Sequence, residues 1–194
     1  MKHQPSISNQ QSTIRNWESH WAPYDDTTYG PALEALRADD VVLDIGAGDL
    51  RFAVKAAPCV RRVIAVEQQA GLIGAGPWPA NLEIVIADAL AWPFPFDVTV
   101  GVLLMRHCTR FRDYAGRLRA VGARRLITNA RWGMGVEVVD LLAARVDFGR
   151  LTACWYACDC GAVGFAAGTP DAITQESLER ASAVARCPAC GWHP

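Results

Sequence analysis

Residues 41–52, with the sequence VVLDIGAGDLRF, constrain the fold more than any other part of the chain. The apolar run predicts a buried strand that ends at Asp44, and the turn after it carries Gly46 and Gly48. Glycines allow the bare backbone of such a turn to come close to a bound nucleotide, because no Cβ stands in the way. We therefore expect a strand, a glycine-containing loop and a helix, with a ligand at the loop.

Two further apolar runs also end in an acid. The run VIAVE ends at Glu67, 23 residues after Asp44, and LEIVIAD ends at Asp88, a further 21 residues on. We expect these three acids to line one edge of a parallel sheet. The later run FDVTVGVLLM is continuously apolar, which is typical of a central parallel strand covered on both faces, and we expect it beside the first strand.

These residues resemble the class I S-adenosylmethionine-dependent methyltransferases, over roughly residues 30 to 130. The resemblance implies a doubly wound, mostly parallel α/β sheet of the Rossmann-like type that binds S-adenosylmethionine. It also implies that Asp44, Gly46 and Gly48 surround the methionine part of this cofactor, that Glu67 binds the ribose hydroxyls and that Asp88 meets the adenine. A carboxylate suits the ribose, since it accepts charge-assisted hydrogen bonds from two vicinal hydroxyls.

The loop departs from the family pattern at one position. The family usually has a third glycine two places after Gly48, where this chain has Leu50. A nicotinamide- or flavin-binding loop would place its third glycine at Arg51, where a large side chain hinders the packing of helix on strand. A nicotinamide-dependent oxidoreductase and an ordinary strand-to-helix turn remain as alternatives to the methyltransferase.

Substrate chemistry is expected just beyond the fourth strand, in the segment MRHCTR that begins at Met105. His107 is the candidate general base, because an imidazole with a near-neutral pKa can take a proton from an oxygen or nitrogen nucleophile. The alternative is a histidine that is hydrogen-bonded to a nearby loop. No base is strictly required, since an activated sulfonium can transfer its methyl group when the nucleophile is held in line.

Four of the seven cysteines lie in two short turns near the C-terminus, CDCG and CPACG. Clustered thiols in a reducing compartment more often hold a metal than form disulfides. We predict a structural zinc site in a zinc-ribbon-like segment, because four protein ligands leave no open position for substrate. Cys154 or His193 could replace one ligand, and a redox dithiol pair or unrelated buried thiols are the alternatives. The predicted ligands are Cys158, Cys160, Cys187 and Cys190.

Seven arginines are concentrated in one stretch that contains a single acid, Asp113. Such a patch can bind RNA phosphates or an anionic small substrate, or be merely solvated surface. RNA binding would also suit the alternative function, a catalytically degenerate methyltransferase fold that acts as a zinc-ribbon RNA- or protein-binding module. The arginines are Arg106, Arg110, Arg112, Arg117, Arg119, Arg124 and Arg125.

Length and composition limit the remaining choices. A chain of 194 residues with 51% hydrophobic composition suits one domain with an appendage, and a net charge of −1 argues against a general polyanion binder. We expect no membrane helix and no signal peptide, and hence a cytoplasmic protein. The expected organisation is a flexible N-terminus at 1–14, a cofactor-binding domain at 15–150 and the zinc-ribbon-like segment at 151–194.

Overall fold

The computed structural model of the protein describes residues 24–106, 108–131 and 135–191. A six-stranded sheet is followed along the chain by a three-stranded one. The strands of the larger sheet are β1 (Val41–Ile45), β2 (Arg62–Glu67), β3 (Leu82–Ile86), β4 (Val100–Leu103), β5 (Arg125–Thr128) and β6 (Glu137–Asp140). Those of the smaller sheet are β7 (Cys154–Cys158), β8 (Val163–Ala166) and β9 (Ala181–Val184). The α-helices in the described part of the chain are α1 (Asp26–Glu34), α2 (Arg51–Ala56), α3 (Phe111–Ala120) and α4 (Gln175–Glu179).

The larger sheet has the strand order β3-β2-β1-β4-β5-β6. All neighbouring pairs are parallel except β5 and β6, which are antiparallel. The strand order reverses between β1 and β4, and doubly wound sheets bind their ligands at such a switch point. The predicted fold class, a doubly wound and mostly parallel sheet with a small cysteine-bearing appendage, is confirmed, as is the position of β4 beside β1.

Strand β1 is buried along its whole length because both faces of the sheet are covered. Leu43 and Ile45 belong to one apolar cluster, which also contains Phe111 of α3. Val42 points to the opposite face and belongs to a second cluster with Phe52 of α2. Side chains alternate between the faces of a strand, so a continuous apolar run supplies both cores at once. This double burial holds the end of β1, and the loop after it, in one position.

Two helices differ from the sequence-based expectation. The sequence predicts a helix from Thr28 to Ala38, with Pro31 in its first turn and Leu33 and Leu36 on one apolar side. In the structure, α1 begins at Asp26 and ends at Glu34. The reason is the cap, since Asp25 accepts a hydrogen bond from the backbone N–H of Thr27 and starts the helix earlier. Pro31 therefore lies in the second turn.

The sequence TQESLERASAVAR, between the two cysteine turns, predicts one short helix, but only its first half is helical. Thr174 caps α4, and the chain becomes extended at Arg180. The following residues form β9, which pairs in parallel with β7. An isolated helix of this length is marginal, and the strand-forming alternative satisfies the backbone hydrogen bonds against a neighbouring strand. The predicted domain limits stay predictions, since residues 1–23 lie outside the described part.

Candidate cofactor cavity and metal centre

A cavity lies at the carboxyl ends of β1, β2, β3 and β4, and we call it the ligand cavity. The ligand cavity has a volume of about 150 Å³. Asp44, Glu67 and Asp88, the three acids expected at one edge of the sheet, all line this cavity, together with Gly46. The structure therefore brings together residues that are far apart in the sequence, because parallel strands end at the same edge.

Glu67 is held by two backbone hydrogen bonds. The N–H of Gly48 donates to Oε2 at 2.9 Å, and the N–H of Gln69 donates to Oε1 at 2.8 Å. The side chain is buried, yet it lines the cavity. A carboxylate oxygen offers two lone pairs, so each oxygen keeps a further position for a ligand hydroxyl. Gly48 does not line the cavity itself, and it acts on the cavity through Glu67.

Asp44 is almost completely buried, and its Oδ2 has no hydrogen-bond partner among the described residues. Burial, with a smaller effect of the neighbouring Glu67 charge, raises the pKa of Asp44 to about 7. A buried carboxylate without a partner is unfavourable, and a ligand that carries a hydrogen-bond donor or a positive charge removes this cost. The cavity thus contains an acceptor that the protein itself leaves unsatisfied.

Gly46 lies where two loops come very close. Its φ of +71° is in the left-handed region, and a Cβ at this position would lie 2.8 Å from Cε of Met105. A side chain at this position would strain the backbone and push Met105 out of place. The loops after β1 and β4 can approach each other here because residue 46 is a glycine.

Aromatic rings and one arginine complete the wall on the β4 side. Tyr24 and Tyr29 line the cavity, and their ring centroids lie 6.3 Å apart at a near-perpendicular angle. Tyr29 also packs on Phe52 of the core, so it serves both the cavity and the attachment of α1 to the sheet. Arg106 is the charged residue of the β4 loop that lines the cavity. The candidate base His107 lies outside the described residues.

Sequence reasoning placed Met105 in the segment expected to carry substrate chemistry, but it did not single out Tyr114 as a cavity residue. Tyr114 comes from α3, where it and Phe111 lie on the buried face at a spacing of three residues. This apolar periodicity is the signal that could have placed Tyr114 next to the sheet. The contact of Met105 with Gly46 had no such signal, because it depends on how two loops meet.

The four predicted zinc ligands form a cluster at one end of the smaller sheet, which we call the cysteine cluster (Cys158, Cys160, Cys187 and Cys190). Their Sγ atoms all lie within 4.8 Å of one another. Two of the Sγ–Sγ distances are 3.7 and 3.8 Å. Four thiolates around a tetrahedral zinc with Zn–S bonds of about 2.3 Å would be about 3.8 Å apart. The thiols therefore fit a four-coordinate zinc ion.

The two turns that carry the cysteines follow the expected backbone chemistry. Gly161 and Gly191 have φ values of +94° and +93°. The Cys187 N–H donates to Sγ of Cys190 at 3.4 Å, and this hydrogen bond is the main cause that lowers the pKa of Cys190 to about 7. Burial raises the pKa of Cys158. Cys154 begins β7 and is not part of the cluster, and His193 lies outside the described residues.

Several arginines of the predicted patch have partners inside the protein. Arg110, Arg119 and Arg125 form ion pairs with Asp113, Asp159 and Asp40, respectively. These contacts reduce the positive charge that is free to meet phosphates. Arg117 donates to the carbonyl oxygen of Trp92, and the Cys190 thiol raises the pKa of Arg112.

The appendage is tied to the larger sheet mainly through arginines next to the cysteine cluster. Asp159, between two of the cysteines, accepts from Arg119 of α3 at 2.9 Å and from Arg145 at 3.0 Å. Arg131 donates to the carbonyl oxygen of Cys158 and forms an ion pair with Glu137 of β6. Helix α3 therefore supplies Tyr114 to the ligand cavity and Arg119 to the contacts beside the cysteine cluster.

The fold and the site define a doubly wound α/β protein with a ligand cavity at its switch point and a four-cysteine cluster in an appended sheet. No protein-family model matches the chain, and no curated protein matches it either. Several methyltransferases are among the solved structures that match the chain.

Three of the matching structures illustrate this likeness. A precorrin-8w decarboxylase from Methanobacterium thermoautotrophicum has 19% identity, a TM-score of 0.48 and 57% of this chain covered. A dimethyladenosine transferase from Plasmodium falciparum has 20% identity, a TM-score of 0.45 and 52% covered. The 1,6-didemethyltoxoflavin-N1-methyltransferase of Burkholderia thailandensis, which has S-adenosylhomocysteine bound, has 16% identity, a TM-score of 0.43 and 66% covered.

The chain spans 66, 39 and 66% of the length of these three structures, respectively. The strand order and the register of the larger sheet define the fold. In the part of the chain that the structure describes, no helix combines the length and the apolar character needed to cross a bilayer.

Proposed function

We propose that the protein is an S-adenosylmethionine-dependent methyltransferase whose acceptor is an RNA or a small molecule. The observation that carries the proposal is the unsatisfied Oδ2 of Asp44 in a cavity that Glu67 and Asp88 also line. Bound S-adenosylmethionine would supply a methyl group on a positively charged sulfonium. Three acids around one cavity suit a cationic nucleoside ligand that has many hydrogen-bond donors.

Each acid has a distinct part in the proposed site. Asp44, next to the narrow loop at Gly46, takes the charged methionine portion of the ligand. Glu67 accepts from the ribose hydroxyls, and the hydrogen bonds from Gly48 and Gln69 hold its carboxylate ready for them. Asp88 at the end of β3 meets the adenine. Because these groups are positioned before the ligand arrives, little ordering remains to be done on binding.

In the proposed mechanism, the loop after β4 binds the methyl acceptor and aligns its nucleophile. Alignment of the nucleophile with the methyl group removes much of the entropic barrier to transfer. His107 remains the candidate general base. Substitution of His107 by Ala is then expected to lower the transfer rate by about two orders of magnitude or more at neutral pH, with cofactor affinity unchanged.

The cysteine cluster is proposed to hold one structural zinc ion. Four thiolates would close its coordination sphere, so this metal takes no part in methyl transfer. Its role is to hold β7, β8 and β9 together, since this small sheet has few buried apolar residues besides its own cysteines. Arg131 donates to the carbonyl oxygen of Cys158 and places positive charge near the thiolates.

Calorimetric titration with S-adenosylhomocysteine tests the cofactor assignment. We expect the wild-type protein to bind, and Asp44→Asn to lose about tenfold or more in affinity, since it removes a charge-assisted contact. Asp97→Asn is the matched control, because Asp97 is exposed and pairs with Arg62 away from the cavity. Binding of NAD in place of S-adenosylhomocysteine would overturn the proposal in favour of an oxidoreductase.

The competing function is a binding module in which the methyltransferase fold has lost catalysis. Such a protein would transfer no methyl group to any acceptor, even when the cofactor binds. If this module binds RNA, charge reversal at Arg124, which is exposed, should weaken RNA retention in a salt-dependent way. Transfer of a radioactive methyl group from the cofactor to total RNA or to a small-molecule extract separates the two functions.

A further inference from the structure

Arg106 lies three residues beyond the end of β4 and lines the ligand cavity. Its guanidinium Cζ is 4.9 Å from the centre of the Tyr24 ring, and Nη2 donates to Oγ1 of Thr28 at 3.3 Å. Its backbone N–H donates to the hydroxyl of Tyr24 at 2.9 Å. These contacts hold the guanidinium at the cavity wall, yet each of them involves a neutral group.

The charge of Arg106 has no counter-ion within the described ranges 24–106, 108–131 and 135–191. No ion pair there includes Arg106, and its Nε is buried without a hydrogen-bond partner. Arg110, Arg119 and Arg125 of the same chain segment all pair with carboxylates. A partly buried cation with an unsatisfied N–H in a cavity leaves room for an acceptor from outside the protein.

We propose that Arg106 is an anion-binding residue of the ligand cavity and that it takes a carboxylate or phosphate of a bound ligand. A planar guanidinium binds both groups with two parallel hydrogen bonds. The three acids of the cavity lie at the ends of β1, β2 and β3, whereas Arg106 lies on the β4 side. The cavity is therefore polarised, with a face for cationic groups and a face for anionic ones.

This proposal rests on the proposed function for the identity of the ligands. Two sources can supply the anion. One is the methyl acceptor, which has to approach from beyond β4, and the other is the carboxylate of the cofactor. The experiment has one arm for each source, and it uses Arg106→Gln, Arg106→Lys and the control Arg124→Gln in the full chain. Arg124 is an exposed arginine outside the cavity.

The acceptor arm titrates inorganic phosphate into protein saturated with S-adenosylhomocysteine. In the wild type, the Nε–Hε NMR signal of Arg106 should shift with phosphate, and Arg106→Gln should weaken phosphate binding about tenfold or more. Arg106→Lys should retain part of the binding, because it keeps the charge but loses the bidentate geometry. Arg124→Gln should behave as the wild type.

The cofactor arm compares S-adenosylhomocysteine with 5′-methylthioadenosine, which lacks the amino-acid portion. If Arg106 takes the cofactor carboxylate, Arg106→Gln weakens the first ligand about tenfold or more and leaves the second unchanged. If neither phosphate nor S-adenosylhomocysteine binds more weakly to Arg106→Gln, the proposal is overturned.

The Arg106 proposal and the proposed function can fail independently of each other. Failure of the wild type to bind S-adenosylhomocysteine would remove the methyltransferase proposal, while a phosphate-dependent shift of Arg106 in the unliganded protein would still support the anion site. Should Arg106→Gln not fold, the wild-type NMR titration decides by itself, since an Arg106 signal that phosphate and S-adenosylhomocysteine both leave unmoved contradicts the proposal.

Discussion

The backbone N–H of Gly48 lies 2.9 Å from Oε2 of Glu67 and donates a hydrogen bond to it. The loop after β1 is therefore joined directly to the end of β2 by the same carboxylate that faces the ligand cavity. Any change that removes this carboxylate acts on the loop and on ligand binding together. The contacts of the ligand cavity, of the loop after β1 and of the cysteine cluster can each be tested by substitution.

Substitution Glu67→Gln should weaken S-adenosylhomocysteine binding about tenfold or more and lower the free energy of unfolding by about 1–3 kcal/mol. The amide group of Gln can accept at only one end, so one of the two N–H groups, of Gly48 or of Gln69, loses its partner. Calorimetry and urea unfolding measure the two effects. Glu83→Gln on the exposed part of β3 is the control, and equal effects at both sites would contradict the special role of Glu67.

The stability of the unliganded protein should depend on pH through Asp44. Its folded-state pKa of about 7 lies above the ordinary value of 3.8, so the folded state holds this proton more tightly than the unfolded state. The stabilising contribution is complete below pH 3.8 and is lost as the pH rises to about 7. Asp44→Asn removes the titrating group.

We therefore expect the free energy of unfolding of Asp44→Asn to rise relative to the wild type between about pH 4 and 7, which urea unfolding across that range can measure. The titration of other groups changes the free energy of unfolding of both proteins equally, so it cancels in the difference between them. A constant difference across this range would show that burial does not raise the pKa of Asp44.

Leu50 is fully buried although its φ of +67° lies in the left-handed region, and it stands where the resembled family has glycine. Leu50→Ala should lose core packing and keep the backbone strain, whereas Leu50→Gly loses the packing but relieves the strain. We expect the Gly variant to unfold at the same urea concentration as the Ala variant, or at a higher one.

Leu118 in helix α3 is the matched control for Leu50, because it is equally buried but has helical backbone geometry. There the Gly variant should be less stable than the Ala variant by about 1 kcal/mol. The same order of stability at both positions would mean that Leu50 is not strained.

Removal of the metal by a chelator, or the double substitution Cys187→Ser with Cys190→Ser, should release the smaller sheet. We expect faster hydrogen exchange in β7, β8 and β9 and also in α3, because Arg119 ties that helix to Asp159, which lies between two residues of the cysteine cluster. Strands β1 and β2 should stay protected, since their neighbours lie in the larger sheet.

Cys59→Ser is the control for metal content and exchange, because Cys59 is exposed and lies outside the cluster. It should leave one zinc ion per chain, measured by atomic emission. Unchanged exchange in β7 to β9 after complete metal removal would contradict a structural role for the metal.

Local sequence patterns were enough to predict β1 and β2, the three acids and the two cysteine turns. Each of these depends on short-range chemistry: an apolar run that ends in an acid, or two thiols beside a glycine. Asp44 and Asp88 could be placed at one cavity because parallel strands share an edge. The four cysteines could be grouped because few arrangements other than a metal site suit paired thiol turns.

The partners of the arginines could not be predicted, because they are set by contacts between segments far apart in the chain. Arg125 looked like part of a basic surface, yet it forms an ion pair with Asp40, 85 residues away. The second half of the expected C-terminal helix became β9 for a related reason, since a strand needs a partner and β7 supplies one.

The sequence by itself determined the order of the strands along the chain and the chemical groups at their ends, because hydrophobic periodicity and residue type are local properties. Only the tertiary structure decided which polar atoms stay without a partner, such as Oδ2 of Asp44 and Nε of Arg106. Whether a buried group is satisfied depends on every segment packed around it, and no local pattern encodes that arrangement.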